Sequence, residues 1–298
     1  MNPPVELETL RDYLRFAVSR FTHAGLSFGH GFANAYDEAL YLLLHTLHLP
    51  LDRPEPFLDA KLTHGERSDV AALLTRRIEE RVPAAYLTHE AWLGDFRFHV
   101  DERVLIPRSF IAELLPDGLA PYLPDASTLR SVLDLCTGSG CLAVMLAHGF
   151  PGAEVDATDI SSDALAVAQR NVSDYGLAGR INLVRSDLFA NLSDKSYDLI
   201  VCNPPYVTTN AMNALPREYR HEPQMALAGG DDGMDLVRTI LREAPRHLNH
   251  GGVIVVEVGH NRDAAETAFP RMPFVWLTTA SSTDSVFLLT REELVAGR

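Results

Sequence analysis

Lysine is all but missing from this 298-residue chain: Lys61 and Lys195 are the only two, and arginine carries nearly all the positive charge. We read that as a compositional bias of the genome rather than as chemistry. Positive charge is scarce altogether, since 26 Lys and Arg stand against 40 Asp and Glu and leave a net charge of −14. Such acidity argues against tight, sequence-independent binding to nucleic acid, which depends on neutralising phosphates; only a local basic cleft would allow it. Cysteine is scarce too. Cys136, Cys141 and Cys202 form no Cys-x-x-Cys pair and no disulfide framework. No apolar run reaches the roughly 18 to 20 residues that span a bilayer. The first residues, Met1-Asn-Pro-Pro-Val-Glu, lack the basic and apolar regions of an export signal. The expectation is a cytoplasmic protein with no membrane partner. With 46% hydrophobic and 22% charged residues, 19 Gly and 18 Pro, collagen, coiled coil and wholesale disorder are excluded.

What is present divides the chain. Leu7, Leu10, Leu14, Ala17 and Phe21 recur at helical spacing, as do Ala35, Ala39, Leu43 and Leu47. A third helix is expected from Ser68, as its cap, to Arg81, with Ala71, Leu74 and Ile78 as its stripe. Phe96–Val100 alternates like a strand, Asp101-Glu-Arg reads as a turn, and Val104–Pro107 reads as the returning strand. Beyond them strands and helices alternate, with strands expected at 131–136, 154–158, 181–185, 197–202 and 252–258. Two more, near 274–277 and 285–290, end the chain. The reading is an α/β protein: an N-terminal helical domain (1–88), a linking β-hairpin (89–107) and a Rossmann-like, doubly wound sheet (108–298). Ligands bind such sheets at the carboxyl ends of the strands.

Four strand ends carry candidate chemistry. Val132-Leu-Asp134-Leu-Cys136-Thr137-Gly138-Ser139-Gly140 runs from a strand through a glycine-bearing turn into a helix. Such a turn lets backbone approach a ligand at a helix N-terminus. Asp159 closes the next strand, 21 residues past Gly138, close to the spacing of an acid that binds ribose hydroxyls. That pair fits an adenosine-containing cofactor without separating NAD from S-adenosylmethionine, and an ordinary tight turn remains open beside it. Asp187 and Leu188 follow the third strand, where an acid and an apolar residue could bracket an adenine. Asn203-Pro204-Pro205-Tyr206 follows the fourth.

With these ends in this order, the chain resembles the class I S-adenosylmethionine-dependent methyltransferases whose fourth strand ends in Asn/Asp-Pro-Pro-Tyr. Those enzymes methylate nitrogens conjugated to a π system, in DNA bases or in the glutamine side chains of proteins. The resemblance implies S-adenosylmethionine as cofactor, bound by Asp134, Cys136, Thr137, Gly138, Ser139, Gly140, Asp159, Ile160, Asp187, Leu188 and Asn203. The motif's parts suggest how it works. An amide lone pair is delocalised, so the NH₂ must be held; the Asn203 side-chain oxygen and the Pro204 carbonyl offer two acceptors. Pro205 stiffens the loop, and Tyr206 offers an aromatic face to a flat group and to a cation. Asn203, Pro204 and Tyr206 are the catalytic candidates. No base is nominated and no metal is expected.

Downstream, Tyr219-Arg220-His221-Glu222-Pro223 and the Ala-Leu and Gly-rich acidic stretch after it resemble the protein-glutamine methyltransferases rather than the DNA enzymes. Gly29–Ala39, Ala84–Thr88, Val100–Ser109 and Asp134–Cys141 resemble the branch that modifies large-subunit ribosomal protein L-three. The release-factor branch, and less closely the DNA enzymes, stand as alternatives. Two residues depart from the general pattern: Cys136 replaces a glycine, as it does in the ribosomal branch, and Phe110 stands where that branch more often has proline. Arg108 reads either as a docking point for substrate backbone or as half of a surface ion pair. His221 and Glu222 read either as walls of the substrate channel, with Asn203–Tyr206, or as a structural cap. His45 and His48 share a helix turn with no carboxylate or thiol in view, and read as residues that pack or face solvent rather than bind a metal. The acidity gains a use under this resemblance, because an acidic enzyme is steered towards a basic ribosomal protein and away from ribosomal RNA. That implies modification before or during assembly of the subunit, and no stable contact with nucleic acid.

Overall fold

The computed structural model describes residues 3–117, 119, 123 and 126–297. The chain separates into two units, one of residues up to Ala91 together with Leu215–His221, the other of Trp92–Ala214 and Glu222 onward.

The first unit is helical: α1 (Leu10–Ala24), α2 (Ala35–Thr46), α3 (His64–Thr75) and the short α4 (Ala84–Thr88). Phe21, Leu42, Leu43 and Leu74 are fully buried at its centre. The third helix starts four residues earlier than its periodicity suggests. Thr63 caps it, and Glu66 reaches back to the Thr63 N–H, a reciprocal box that satisfies two orphan donors; Ser68 lies inside the helix. The helical path continues past α3 as a wider turn, Arg76–Glu80. Arg77 from that turn is 1% exposed and is held by Glu38 at 2.6 Å and Glu218 at 3.4 Å. Arg81 reaches Glu218 at 3.3 Å. A buried guanidinium survives only with such partners, and Glu218 thereby ties residues 215–221 into this unit.

The chain leaves the helices through a hairpin of β1 (Glu90–Leu93) and β2 (Phe96–His99). This corrects the expected pairing of Phe96–Val100 with Val104–Pro107. Gly94, at φ +56°, opens a two-residue turn that folds β2 back onto the residues before it. Residues 104–107 cannot form a ladder because their donors are used elsewhere. The Val104 N–H goes to the Asp101 carbonyl at 3.1 Å, the Ile106 N–H goes to Glu222 at 3.0 Å, and Pro107 has none.

The second unit then alternates β3 (Ser131–Leu135), α5 (Cys141–Gly149), β4 (Glu154–Asp159), α6 (Ser162–Asp174), β5 (Ile181–Arg185) and β6 (Tyr197–Cys202). It continues through α7 (Thr209–Ala214), α8 (Asp235–Glu243), β7 (Leu248–Glu257), α9 (Arg262–Ala268), β8 (Val275–Leu277), β9 (Val286–Thr290) and α10 (Arg291–Ala296). The seven strands lie in the order β5-β4-β3-β6-β7-β9-β8. β3 to β7 are parallel, whereas β9 runs antiparallel to both of its neighbours. Alternate side chains feed two cores. Val132, Leu199, Val201, Val253 and Val255 join α5 on one face, and Leu133, Ile200, Cys202, Ile254 and Val256 join α8 on the other. Chain order reverses between β3 and β6, so the crevice over their carboxyl ends is where a ligand belongs.

Candidate active site

The β3 turn depends on backbone that side chains rarely adopt. Cys136, Gly138 and Gly140 have φ of +63°, +55° and +78°. A Cβ on Gly140 would lie 3.0 Å from that of Ala168 on α6, so this glycine lets turn and helix meet. A Cβ on Gly138 would meet nothing within 4 Å, because that residue faces open space. Cys136 has its Cβ in the left-handed region, which costs free energy that the surrounding packing must offset.

Asp134 supports this turn from within. It is fully buried and accepts from the Thr137 hydroxyl at 2.5 Å, while its Oδ1 makes no hydrogen bond of normal geometry. Burial pushes its carboxyl up to about 7. Asp159, at the end of β4, accepts the Gly138 N–H and the Ser161 N–H, each at 2.9 Å. Burial raises its pKa while those two donors pull the other way. Its remaining lone pairs are free to accept from a ligand's hydroxyls.

A cavity of about 320 Å³ opens over these strand ends. It takes in Cys136, Gly138, Asp159, Ile160, Asp187, Leu188, Asn203 and Pro205 from the sequence candidates. Asp134, Thr137, Ser139 and Gly140 stand outside the lining, and so do Pro204 and Tyr206. Several wall residues were not among the sequence candidates for the site: Arg103, Val104 and Leu105 were read as hairpin, Met225 and Ala226 as part of the stretch after the catalytic loop, and Leu236 as part of a helix. Ile160 and Met225 are 44% and 58% exposed, large apolar side chains left uncovered on the walls of a concave site. A largely apolar cavity of this size with two carboxylates, Asp159 and Asp187, and one carboxamide, Asn203, has the character of a small-molecule site. The open space at Gly138 beside Asp159 fits a ribose-bearing cofactor such as S-adenosylmethionine.

Asn203 follows β6 directly. Neither its carboxamide nor the Pro204 carbonyl is engaged by another described residue. The loop they belong to is tightly braced. Val207 exchanges backbone hydrogen bonds with Leu227 and Gly229, both at 2.8 Å. A Cβ on Gly229 would lie 2.6 Å from the Tyr206 Cα, so the Gly-rich stretch downstream is a seat for this loop. Asn261 donates to the Tyr206 carbonyl at 2.7 Å, and the Tyr206 hydroxyl donates to Glu257 at 3.1 Å. Glu257 was missed in the sequence, although an acid at the end of the apolar run from Gly252 was a readable signal.

The remaining candidates separate. Arg108 forms a two-pronged ion pair with Glu222, at 2.6 and 2.8 Å; it is an ion pair, as in the second reading, but not one at the surface, because Glu222 is buried. His221 lies in the helical unit and contacts the Glu80 carbonyl at 2.9 Å. Cys141 is buried, and burial pushes its thiol up to about 12. His45 has a carboxylate that the sequence hid, Glu90 at 3.9 Å. Among the described residues no three His, Cys, Asp or Glu converge as metal ligands.

Residues 117–218 match the model of the methyltransferase small domain family. Over 290 residues the chain is 58% identical to the ribosomal protein uL3 glutamine methyltransferase of Neisseria gonorrhoeae, and the match covers 97% of each chain. It is 59% identical over 289 residues to the protein of that name from Bordetella pertussis, again over 97% of each. A methyltransferase structure from Pyrococcus furiosus matches with a TM-score of 0.49 and 16% identity, over 67% of this chain and 90% of that one.

Proposed function

The chain belongs to the family of ribosomal protein uL3 glutamine methyltransferases, and on that premise we propose that it methylates the side-chain amide nitrogen of a glutamine in uL3, the large-subunit protein L-three. S-adenosylmethionine is the methyl donor in this reading. One observation carries it: the unengaged acceptors of Asn203 and Pro204 stand at the end of β6, beside the cavity that holds Asp159.

The two acceptors each take one hydrogen of the glutamine NH₂, which holds the amide still and turns its lone pair out of conjugation. The bound cofactor supplies an electrophilic methyl on a sulfonium. S-adenosylmethionine held here would give up that methyl and leave as the neutral thioether, while the amide nitrogen held by Asn203 and Pro204 would gain the methyl and lose a proton to water. Asp159 and the Gly138 backbone would hold the ribose end, and Ile160, Leu188 and Asp187 would receive the base. In-line positioning supplies much of the acceleration. Pro205 keeps the loop stiff and removes a competing N–H.

No helix among the described residues is long and apolar enough to cross a membrane, and the reaction belongs in the cytoplasm, where ribosomal proteins are made. The net charge of −14 favours a basic, newly made substrate over one already embedded in ribosomal RNA. The test is transfer of a labelled methyl to purified uL3, a release factor and duplex DNA side by side, with free uL3 compared against assembled large subunits. Label at one glutamine of free uL3 is expected. Label in the release factor or in DNA overturns the substrate assignment, and equal rates on free and assembled uL3 overturn the timing.

A further inference from the structure

Glu257 ends a strand whose four preceding residues, Val253 to Val256, are apolar and buried, and it is itself 1% exposed. A carboxylate in such a place costs several kcal/mol unless donors meet it. Three do. The Ser109 hydroxyl at 2.6 Å and the Phe110 N–H at 2.9 Å reach Oε2, and the Tyr206 hydroxyl at 3.1 Å reaches Oε1. Ordinary strand packing would place an apolar residue here, so a reason for the acid has to lie in what it holds.

Two further residues just past β7 grip the same tyrosine. A Cβ on Gly259 would lie 2.5 Å from Cε2 of the Tyr206 ring, so the ring rests directly on that backbone. Asn261 donates its side-chain N–H to the Tyr206 carbonyl. Hydroxyl, ring and carbonyl of one residue are thus each fixed by alternate positions, 257, 259 and 261, of a single segment. Resting on the reading of Asn203–Tyr206 as the catalytic loop, we propose that Glu257 and Asn261 are positioning residues for methyl transfer, locking Tyr206 so that the Asn203 and Pro204 acceptors are held in register with the donor.

The geometry also assigns Tyr206 its part. Its hydroxyl hydrogen is committed to Glu257, and burial beside that carboxylate pushes the phenol well above its ordinary pKa. Tyr206 therefore acts through its ring and its place in the chain, not as a proton donor.

The experiment uses the full-length enzyme with fluorotyrosine at position 206, in the wild type and in the variants Glu257→Leu, Glu257→Gln and Asn261→Ala, plus the pair Tyr206→Phe and Tyr206→Phe/Glu257→Leu. Glu257→Leu should lower kcat on uL3 by about 10- to 100-fold, the scale of a misplacement near 1 Å. Cofactor affinity measured by calorimetry should stay within about threefold, because the ribose contacts are untouched. Glu257→Gln keeps an acceptor and should recover part of the loss. The double variant should be no slower than its slower parent, the mark of two groups acting through one contact. The fluorine resonance should move in Glu257→Leu and in Asn261→Ala. Wild-type kcat in Asn261→Ala, losses that multiply in the double variant, or an unmoved resonance each overturn the proposal. If Glu257→Leu fails to fold, Asn261→Ala decides alone. The resonance does not depend on which protein is methylated, so an enzyme inactive on uL3 whose resonance still moves refutes the substrate and leaves the positioning contact standing.

Discussion

The two halves of the crevice are built on opposite plans. On the side proposed for the cofactor, over β3 and β4, the main chain shapes the wall: Cys136, Gly138 and Gly140 adopt left-handed φ, and Leu188 beyond β5 does the same at +46°. The Asp159 carboxylate there already accepts two backbone N–H groups. On the side proposed for the substrate, over β6, no other described residue engages the Asn203 carboxamide or the Pro204 carbonyl, and rigidity comes from elsewhere: Gly229, Glu257, Gly259 and Asn261 press on or bond to Tyr206, two residues past Pro204. A cofactor of fixed shape suits a site shaped once by backbone. An amide that must be held and then released suits bare acceptors on a braced loop.

The largest effects should separate the two sides cleanly. Asn203→Ala should cut turnover at least about 100-fold, the size of losing a group that acts mainly in the transition state, with cofactor affinity nearly unchanged. Asp159→Ala should do the reverse, weakening cofactor binding about 10- to 100-fold while leaving kcat at saturating cofactor within a few-fold. Steady-state rates paired with calorimetry read both. If Asn203→Ala weakened cofactor binding as much as Asp159→Ala does, the two plans would merge into one.

A smaller effect sharpens the contrast on the cofactor side. Asp134 is the buried exception in a backbone-built turn, and its pKa is raised to about 7 by burial. An acid with a raised folded-state pKa holds its proton in the native state where the unfolded chain has already lost it. Its ionisation therefore penalises folding as pH climbs from about 4 to about 7, and imposes no penalty below that window. Asp134→Asn should gain stability over the wild type by up to a few kcal/mol across that range. Urea midpoints at about pH 4 and about pH 8 test it. Parallel pH profiles for both proteins would mean that the turn does not feel the Asp134 charge.

The same contrast explains what could be read from residues alone. Backbone recognition leaves a trace in local sequence, because left-handed φ and close approach call for glycine, so Gly138, Gly140 and an acid 21 residues on were visible at once. Asn203–Tyr206 was visible as a motif, and the alternation of strands and helices placed β3 to β6 to within a residue, whereas β7 starts at Leu248, four residues before the expected 252. The bracing was not visible. Glu257 lies 51 residues beyond Tyr206, and only the β6–β7 pairing brings them together. Residues 104–107 misled because Val104-Leu105-Ile106 is a short apolar run of the kind a buried strand shows. Their fate was decided by Glu222, more than a hundred residues away, which takes the Ile106 N–H. Ser68 misled for a local reason: Thr63 with Glu66 makes a better cap than a lone serine.

The smallest predicted effect falls where the chain departs from its branch. Phe110 gives Glu257 an N–H that a proline would lack. The backbone would tolerate the exchange: Ser109 has φ −72° and ψ 134°, within the range favoured before proline, and position 110 opens a 3₁₀ turn, where proline fits. Phe110→Pro therefore removes one of three donors to a buried carboxylate together with the packing of one half-buried ring. It leaves the Ser109 and Tyr206 bonds in place. The expected result is a lower melting temperature and a kcat reduced less than about tenfold, smaller than for any change at Glu257 itself. A loss as large as that of Glu257→Leu would show that the Phe110 N–H is the main anchor of that carboxylate. An unchanged kcat would show that the remaining two donors suffice, so that the braced side of the crevice carries a margin its bare acceptors lack.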